Sequence, residues 1–414
     1  MIERSGSATA HGISFPQTKA SVYLDAIRAL AACMVLLEHW RNLFFVDFQN
    51  ISAHGLSRIL YAVLYLLSST GHQAVIIFFV LSGYLIGGTV FRSFEKNTWS
   101  WSGYLTHRCV RLWIVVIPAL VLGGLLDVIG LHVNIAHALY TGHVHNHLTG
   151  NVAASLNAPT FVKNLFFLQT IISPPLGSNG PLWSLANEFW YYILFPAALC
   201  ALLSFYKKRA RVIFAILFIA VAVFIGKPIL ELFPIWLMGV ALNKIPQIPF
   251  SHGVRIATSV LYLPIYLGVA LLSRRPHSGG PLLDTLLGVF TTFLLWTLLS
   301  SRGKSQDGPF SWLSRKSSSV SFSMYALHFP FLLLLTGLMA GNTRWQPDGS
   351  HLAIAFGALL LVVAYGVSVA SQTELRTPTV RRYVEAKVKK MHQQLPFNTQ
   401  TLRAAKTFHA PRSK

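Results

Sequence analysis

Acidic side chains are scarce in this chain: 13 Asp and Glu in 414 residues, against 34 Lys and Arg, with charged residues of both signs at only 11%. A soluble globular domain carries about 25% charged residues, so that class is excluded. Cysteine is scarcer still. Cys33, Cys109 and Cys200 lie in or at the edge of apolar stretches without C-x-x-C spacing, which excludes a disulfide framework and a structural zinc site. The opening MIERSGSATAHGISFPQTKA has no apolar h-region, so no cleaved signal peptide is expected. No fixed-period repeat supports a solenoid or propeller. No matched pair of broken helices supports an inverted-repeat transporter.

What the sequence has in abundance is apolar length. Hydrophobic residues make up 53% and the mean hydropathy is +0.52. A bilayer core about 30 Å thick takes roughly 20 apolar residues per helix, and such runs recur at 22–41, 72–91, 111–130, 183–205, 210–226, 229–243, 255–273, 282–300, 319–340 and 352–372. The expectation is an all-α polytopic membrane protein with about ten transmembrane helices and both termini cytoplasmic. That orientation places 26 of the 34 Lys and Arg inside and 7 in outside loops, with Arg28 within a span, as the positive-inside rule requires. The domains are then a cytoplasmic segment 1–20, a transmembrane domain 21–372 with an extracytoplasmic loop 131–182, and a basic cytoplasmic tail 373–414. The net charge of +21 is topological, so no nucleic-acid partner is expected. The tail either lies near anionic headgroups or stays solvated.

Ionisable groups inside spans are costly and mark functional sites by default. Arg28, Glu38 and His39 in the first span, Glu188 in the fourth and His328 in the ninth form that set. Asp127, Glu231, Asp284 and Glu374 lie close to span ends, where headgroup contact or helix capping is the default reading. Arg28 and His39 are eleven residues apart, about 20° past three full turns, and therefore share a face about 16 Å apart along the axis. Asp25, one turn before Arg28, is placed for an i, i+3 ion pair. Glu38 points about 100° away from His39, which makes it a poor partner for that imidazole. Taken alone, Arg28 also suits snorkelling to the interface, and His39 beside Trp40 also suits an aromatic belt.

Other stretches add candidates. Ser82 and Gly83 in GHQAVIIFFVLSGYLIGG suit close helix packing. Arg108 and Arg111 in HRCVRLW are three apart on one helical face at the inner membrane edge. Paired guanidiniums suit the phosphates of a nucleotide-containing donor or of lipids. Glu188, in GPLWSLANEFWYYILFP, requires a polar cavity or a cationic partner. Tyr325 and His328, in SVSFSMYALHFP, are i, i+3 neighbours. The outside loop holds His132, His137, His143, His145 and His147. Alternating imidazoles can face one way along an extended chain, but no carboxylate or thiol accompanies them, and no metal is expected.

Taken together, these residues resemble the membrane acyltransferase-3 family, whose polysaccharide and lipid-linked sugar O-acetylases are its best known members. The Arg-x10-His signature is matched by Arg28 and His39, FFxLSGxLI by FFVLSGYLI (78–86), Arg-x-x-Arg by Arg108 and Arg111, the LWSLxxExxYY-like stretch by LWSLANEFWYY (182–192), and the ninth-helix motif by SFSMYALH (321–328). The set occurs in the family's order across nearly the whole hydrophobic region. Two positions depart from the pattern: the Pro after Arg-x-x-Arg is delayed to Pro118, and Phe322 replaces a Tyr. Many relatives carry a C-terminal hydrolase-like domain; here a stand-alone membrane module is expected.

The resemblance implies transfer of an acyl group, acetyl by default, from cytoplasmic acyl-CoA to a hydroxyl of a cell-surface carbohydrate or lipid-linked glycan, in a bacterial inner membrane. Arg108 and Arg111 would hold the CoA phosphates, and Arg28 would complete the anion site or polarise the thioester carbonyl. His39 would be the general base, and Glu188 would orient His39 or bind sugar hydroxyls. Ser82, Tyr325 and His328 would line the donor pocket. A ping-pong route through an acyl-enzyme is the mechanistic alternative. A secondary transporter or flippase using the same charges, or a scaffold in which they are dispensable, are the competing classes.

Overall fold

Lipid offers no hydrogen bonds to a peptide group, so a chain this apolar must satisfy its backbone within helices. The computed structural model describes residues 18–133, 137–141, 150–203, 206–273, 280–301, 303–305 and 308–394, and among them there is no β-strand, only isolated bridges. In chain order the helices are α1 Lys19–Phe44, α2 Gly55–Leu67, α3 Gly71–Glu95, α4 Trp101–His132, α5 His137–Thr141, α6 Val152–Ser155, α7 Ala158–Leu165 and α8 Trp183–Leu202. They continue as α9 Lys208–Leu230, α10 Phe233–Ala241, α11 His252–Leu272, α12 Gly280–Leu299, α13 Pro309–Ser318, α14 Ser321–Ala340, α15 Gly349–Gln372 and α16 Thr377–Gln394.

Nine of the described helical segments are long and apolar enough to cross a membrane by themselves, in keeping with the expectation of about ten. The difference lies at 229–243. Gly226, with φ 70, and Pro228 break the end of α9. The nine residues of α10 then span about 14 Å, roughly half a hydrocarbon core. This short helix runs in the same direction as α3: Trp236 lies against Gly83, Val240 against Gly87, and Lys244 pairs with Glu95 at 2.9 Å. Contact is close because Gly83 and Gly239 have no side chain. A Cβ on either would collide with a backbone carbonyl of the partner helix, that of Trp236 or of Val80.

Exposure follows the expected solvent. On α9, Ile213, Ile216, Ile219 and Val223 all face outward, and only 11% of that span is buried. α14 is the central helix, 78% buried, and packs against α1, α4 and α15. Carboxylates near span ends cap or tether these helices. Glu38 accepts from the backbone N–H of Gly71, at the first turn of α3, and Glu374 accepts from that of Ser323 at 2.8 Å, in the first turn of α14. Asp127 departs from the expectation of an end residue at the headgroups. It is fully buried and accepts from both N–H and Oγ of Ser178 at 2.7 Å, tying the 176–180 segment to α4.

Two helices lie where no span was expected. α2 carries Leu56, Ile59, Leu60, Val63 and Leu67 exposed along one stripe. α16 converts the start of the basic tail into a helix docked on α4, with His107 and Glu385 2.7 Å apart. Thr18, bridged to Lys304, and α16 lie at the same end of the bundle.

Candidate active site

α3 places one side chain every three or four residues on a common face: Val75, Phe78, Phe79, Ser82, Leu85, Ile86, Thr89 and Arg92. All of them line a cavity of about 340 Å³. From Val75 to Arg92 this stripe rises about 26 Å at helical pitch. α1 contributes Arg28, α4 contributes Arg108 and Arg111, α8 contributes Ser184 and Glu188, and α14 contributes Phe322 and Tyr325. Four arginines therefore share one cavity with a single carboxylate, Glu188, which is an anion-attracting arrangement.

Each arginine is held differently. Arg28 lies 3.6 Å from Asp25, the i, i+3 pair expected from spacing, and donates to Ser318 Oγ at 3.1 Å. Ser318 in turn donates to Asp25 Oδ1 at 3.0 Å, so α13 fixes the pair. Arg108 lies over the rings of Tyr104 and Tyr192 at 5.5 and 5.9 Å, contacts that a guanidinium makes well. Its Nε is buried and has no hydrogen-bond partner among the described residues. Arg92 and Arg111 are exposed at the mouth.

Glu188 does not orient His39. Its Oε1 accepts from Ser82 Oγ and from Tyr192 OH, both at 2.5 Å, while Trp236 Nε1 donates to Ser82 Oγ at 3.2 Å. The carboxylate thus ties α8 to α3 within the cavity wall. Tyr325 closes the upper part: its hydroxyl donates to the Pro181 carbonyl at 2.7 Å and accepts from Ser184 Oγ at 2.6 Å. Phe78 meets the Tyr325 ring edge-on at 5.9 Å.

His39 and His328 are not among the lining residues. They lie one turn of α14 beyond Tyr325, with His39 Nδ1 2.8 Å from His328 Nε2. His328, expected to line the donor pocket, meets His39 one helical turn past Tyr325. From α1, Arg28 reaches Ser318 of α13 and His39 reaches His328 of α14.

The inside-loop charge count does not single out Arg92, yet the i, i+3, i+4 stripe running from Phe78 through Ser82 and Thr89 places it on the Ser82 face. His132 and His137 bind the backbone carbonyls of Val128 and Leu131, while His143, His145 and His147 lie outside the described residues. Among the described residues no group of three His, Cys, Asp or Glu is arranged to hold a metal.

An acyltransferase-3 family model, described as an acyltransferase domain, matches residues 21–371. A 145-residue segment is 31% identical to an uncharacterized protein of Haemophilus influenzae, covering 34% of this chain and 54% of that protein. A 143-residue segment is 32% identical to the peptidoglycan O-acetyltransferase OatA of Listeria monocytogenes, covering 33% of this chain and 21% of that protein. The chain thus spans about half or less of these relatives. No solved structure matches it. With the family match running over nearly all of the helical bundle that builds the arginine cavity, the chain belongs to the acyltransferase-3 family of membrane acyltransferases.

Proposed function

We propose that this protein moves an acyl group, acetyl in the first instance, from cytoplasmic acyl-CoA to a hydroxyl of a cell-surface carbohydrate or lipid-linked glycan, in a bacterial inner membrane. The arginine end of the bundle then faces the cytoplasm, as do both termini. The observation that carries this reading is the cavity itself: four arginines share a passage that leads to Tyr325, and the next turn of α14 sets His328 against His39.

The roles follow from position. Arg92, Arg108 and Arg111 meet the CoA phosphates, for which forked guanidiniums are suited. The pantetheine arm rises along the α3 stripe. Arg28, held in place by Asp25 and Ser318, completes the anion site, about 16 Å along α1 from His39. His39 takes the proton of the acceptor hydroxyl. Ser82 and Glu188 hold the cavity wall in shape, and Tyr325 bounds the space for the acyl group. The resemblance to the Listeria peptidoglycan O-acetyltransferase supports a glycan acceptor.

The test is incubation of purified, reconstituted protein with radiolabelled acetyl-CoA and extracted envelope glycans, comparing wild type with His39→Ala and Arg28→Ala. Label transfer by wild type and its loss in both variants is expected. Transfer that survives both substitutions overturns the site. A folded wild type that labels no glycan, lipid or small acceptor favours transport.

A further inference from the structure

The hydrogen-bond partners of the two buried imidazoles determine which atom of His39 can accept a proton. His328 is 1% exposed on the central helix. Its Nδ1 lies 2.7 Å from the carbonyl oxygen of Tyr325 and 3.1 Å from that of Met324. Carbonyl oxygens only accept, so His328 Nδ1 carries a hydrogen. In the neutral ring, Nε2 then has the lone pair. An imidazolium there would be buried against carbonyl oxygens and a second ring, with no carboxylate among its hydrogen-bond partners, and such burial is costly.

Only one hydrogen fits the 2.8 Å between His328 Nε2 and His39 Nδ1. His328 cannot supply it, so His39 Nδ1 does. The ring planes lie 29° apart with centroids 5.0 Å apart, the end-to-end arrangement an in-plane N–H···N bond requires, and Phe329 packs edge-on against His39 at 5.0 Å, which opposes ring rotation. His39 is left with its lone pair on Nε2.

We infer that His328 is a positioning residue that fixes His39 as the Nδ1–H tautomer and so makes Nε2 the basic atom. The hydrogen bond also accepts from the imidazolium once His39 is protonated, when it becomes charge-assisted. Resting on the acyltransfer reading above, the step balances as follows. The acceptor hydroxyl oxygen bonds to the acyl carbon, its proton passes to His39 Nε2, the carbon–sulfur bond breaks, and the proton on Nε2 is returned to the CoA thiolate. The arrangement parallels a Ser-His-Asp triad with an imidazole in the place of the aspartate, where the wrong tautomer costs about 10⁴ in kcat.

Two substitutions separate positioning from packing. In His328→Gln the side-chain oxygen can occupy the region of Nε2 and accept from His39. His328→Met keeps similar length but offers no comparable acceptor. The expected kcat falls at least ~100-fold in the Met variant, with KM for acetyl-CoA held within ~2-fold, while Gln stays within ~10-fold of wild type. Nitrogen-15 NMR of the histidine rings in bilayers, with His39→Gln identifying the His39 signals, should show Nδ1–H in wild type and in His328→Gln, and the Nε2–H form appearing in His328→Met. Nε2–H in wild type overturns the inference, as do equal kcat values for Met and Gln. If His39→Ala transfers label as wild type does, the acyltransfer role of His39 fails, and the ring spectrum still reports the tautomer separately.

Discussion

Arg28→Ala is the substitution whose consequences the structure constrains most tightly. The guanidinium does two separable things. Its structural part is small: the pair with Asp25 is 3.6 Å apart, and both side chains are about a fifth exposed, so its contribution to stability is about 1 kcal/mol or less. Ser318 still donates to Asp25 when Arg28 is gone, so the carboxylate keeps a partner. The binding part is larger. Removing a charge-assisted hydrogen bond to a donor phosphate costs about 1.5–3 kcal/mol, or roughly 10–100-fold in KM for acetyl-CoA. Arg28→Lys retains the charge but loses the planar fork, and an intermediate loss is expected. Steady-state transfer from labelled acetyl-CoA, run beside thermal unfolding of the same detergent-solubilised variants, separates the two parts. A KM for acetyl-CoA in Arg28→Ala within ~3-fold of wild type, or a large drop in unfolding temperature that accounts for the loss, refutes the reasoning.

Arg108→Ala should raise KM for acetyl-CoA about 10–100-fold, the effect of losing a hydrogen bond from a charged group worth about 1.5–3 kcal/mol; Arg92→Ala and Arg111→Ala, at the exposed mouth, should show smaller effects that fade as salt is raised. Gly83→Ala drives a Cβ into the Trp236 carbonyl and should lower stability by about 1–3 kcal/mol or more, read as loss of folded protein in thermal unfolding. Asp127→Ala leaves the buried Ser178 N–H without its acceptor, costing about 1–3 kcal/mol, and hydrogen exchange should rise first in the 176–180 segment. At the head of α15, the backbone N–H of His351, then Ser350 Oγ and the His351 ring, hold the Asp348 carboxyl down to about 2. Because the folded value lies below the ordinary Asp value of about 3.9, this cap is fully present above about pH 4 and is lost as pH falls toward 2; a carboxyl carbon NMR titration checks the sign.

Much of the bundle was legible because spans are written in composition. The run at 183–205 became Trp183–Leu202, that at 319–340 became Ser321–Ala340, and that at 352–372 became Gly349–Gln372. Hydropathy failed where backbone geometry intervened. The run at 229–243 is apolar enough, but Gly226 in the left-handed region and Pro228 reset the chain, leaving only α10. The thirteen residues of α2 are too few for a span, and α16 is too polar to register as anything but a tail. Within the site, Arg28, Arg108, Arg111, Ser82, Glu188 and Tyr325 converge on one cavity, and the face shared by Arg28 and His39 followed from arithmetic on a helix. Partners across helices did not follow. His39 and His328 are 289 positions apart, and Glu188 found Ser82 at a separation of 106. Such pairings are set by how α1, α3, α8 and α14 pack.

The central claim is that acyl-CoA occupies the arginine cavity with its acyl end toward His39. A structure of the protein in a lipid nanodisc with a non-transferable thioether analogue of acetyl-CoA tests it most directly. The account predicts phosphates against Arg28, Arg92, Arg108 and Arg111, the pantetheine arm along Ser82 and Phe78, and the acyl end past Tyr325 toward His39. Analogue bound elsewhere, or bound equally well by the Arg108→Ala, Arg111→Ala double variant, would contradict it.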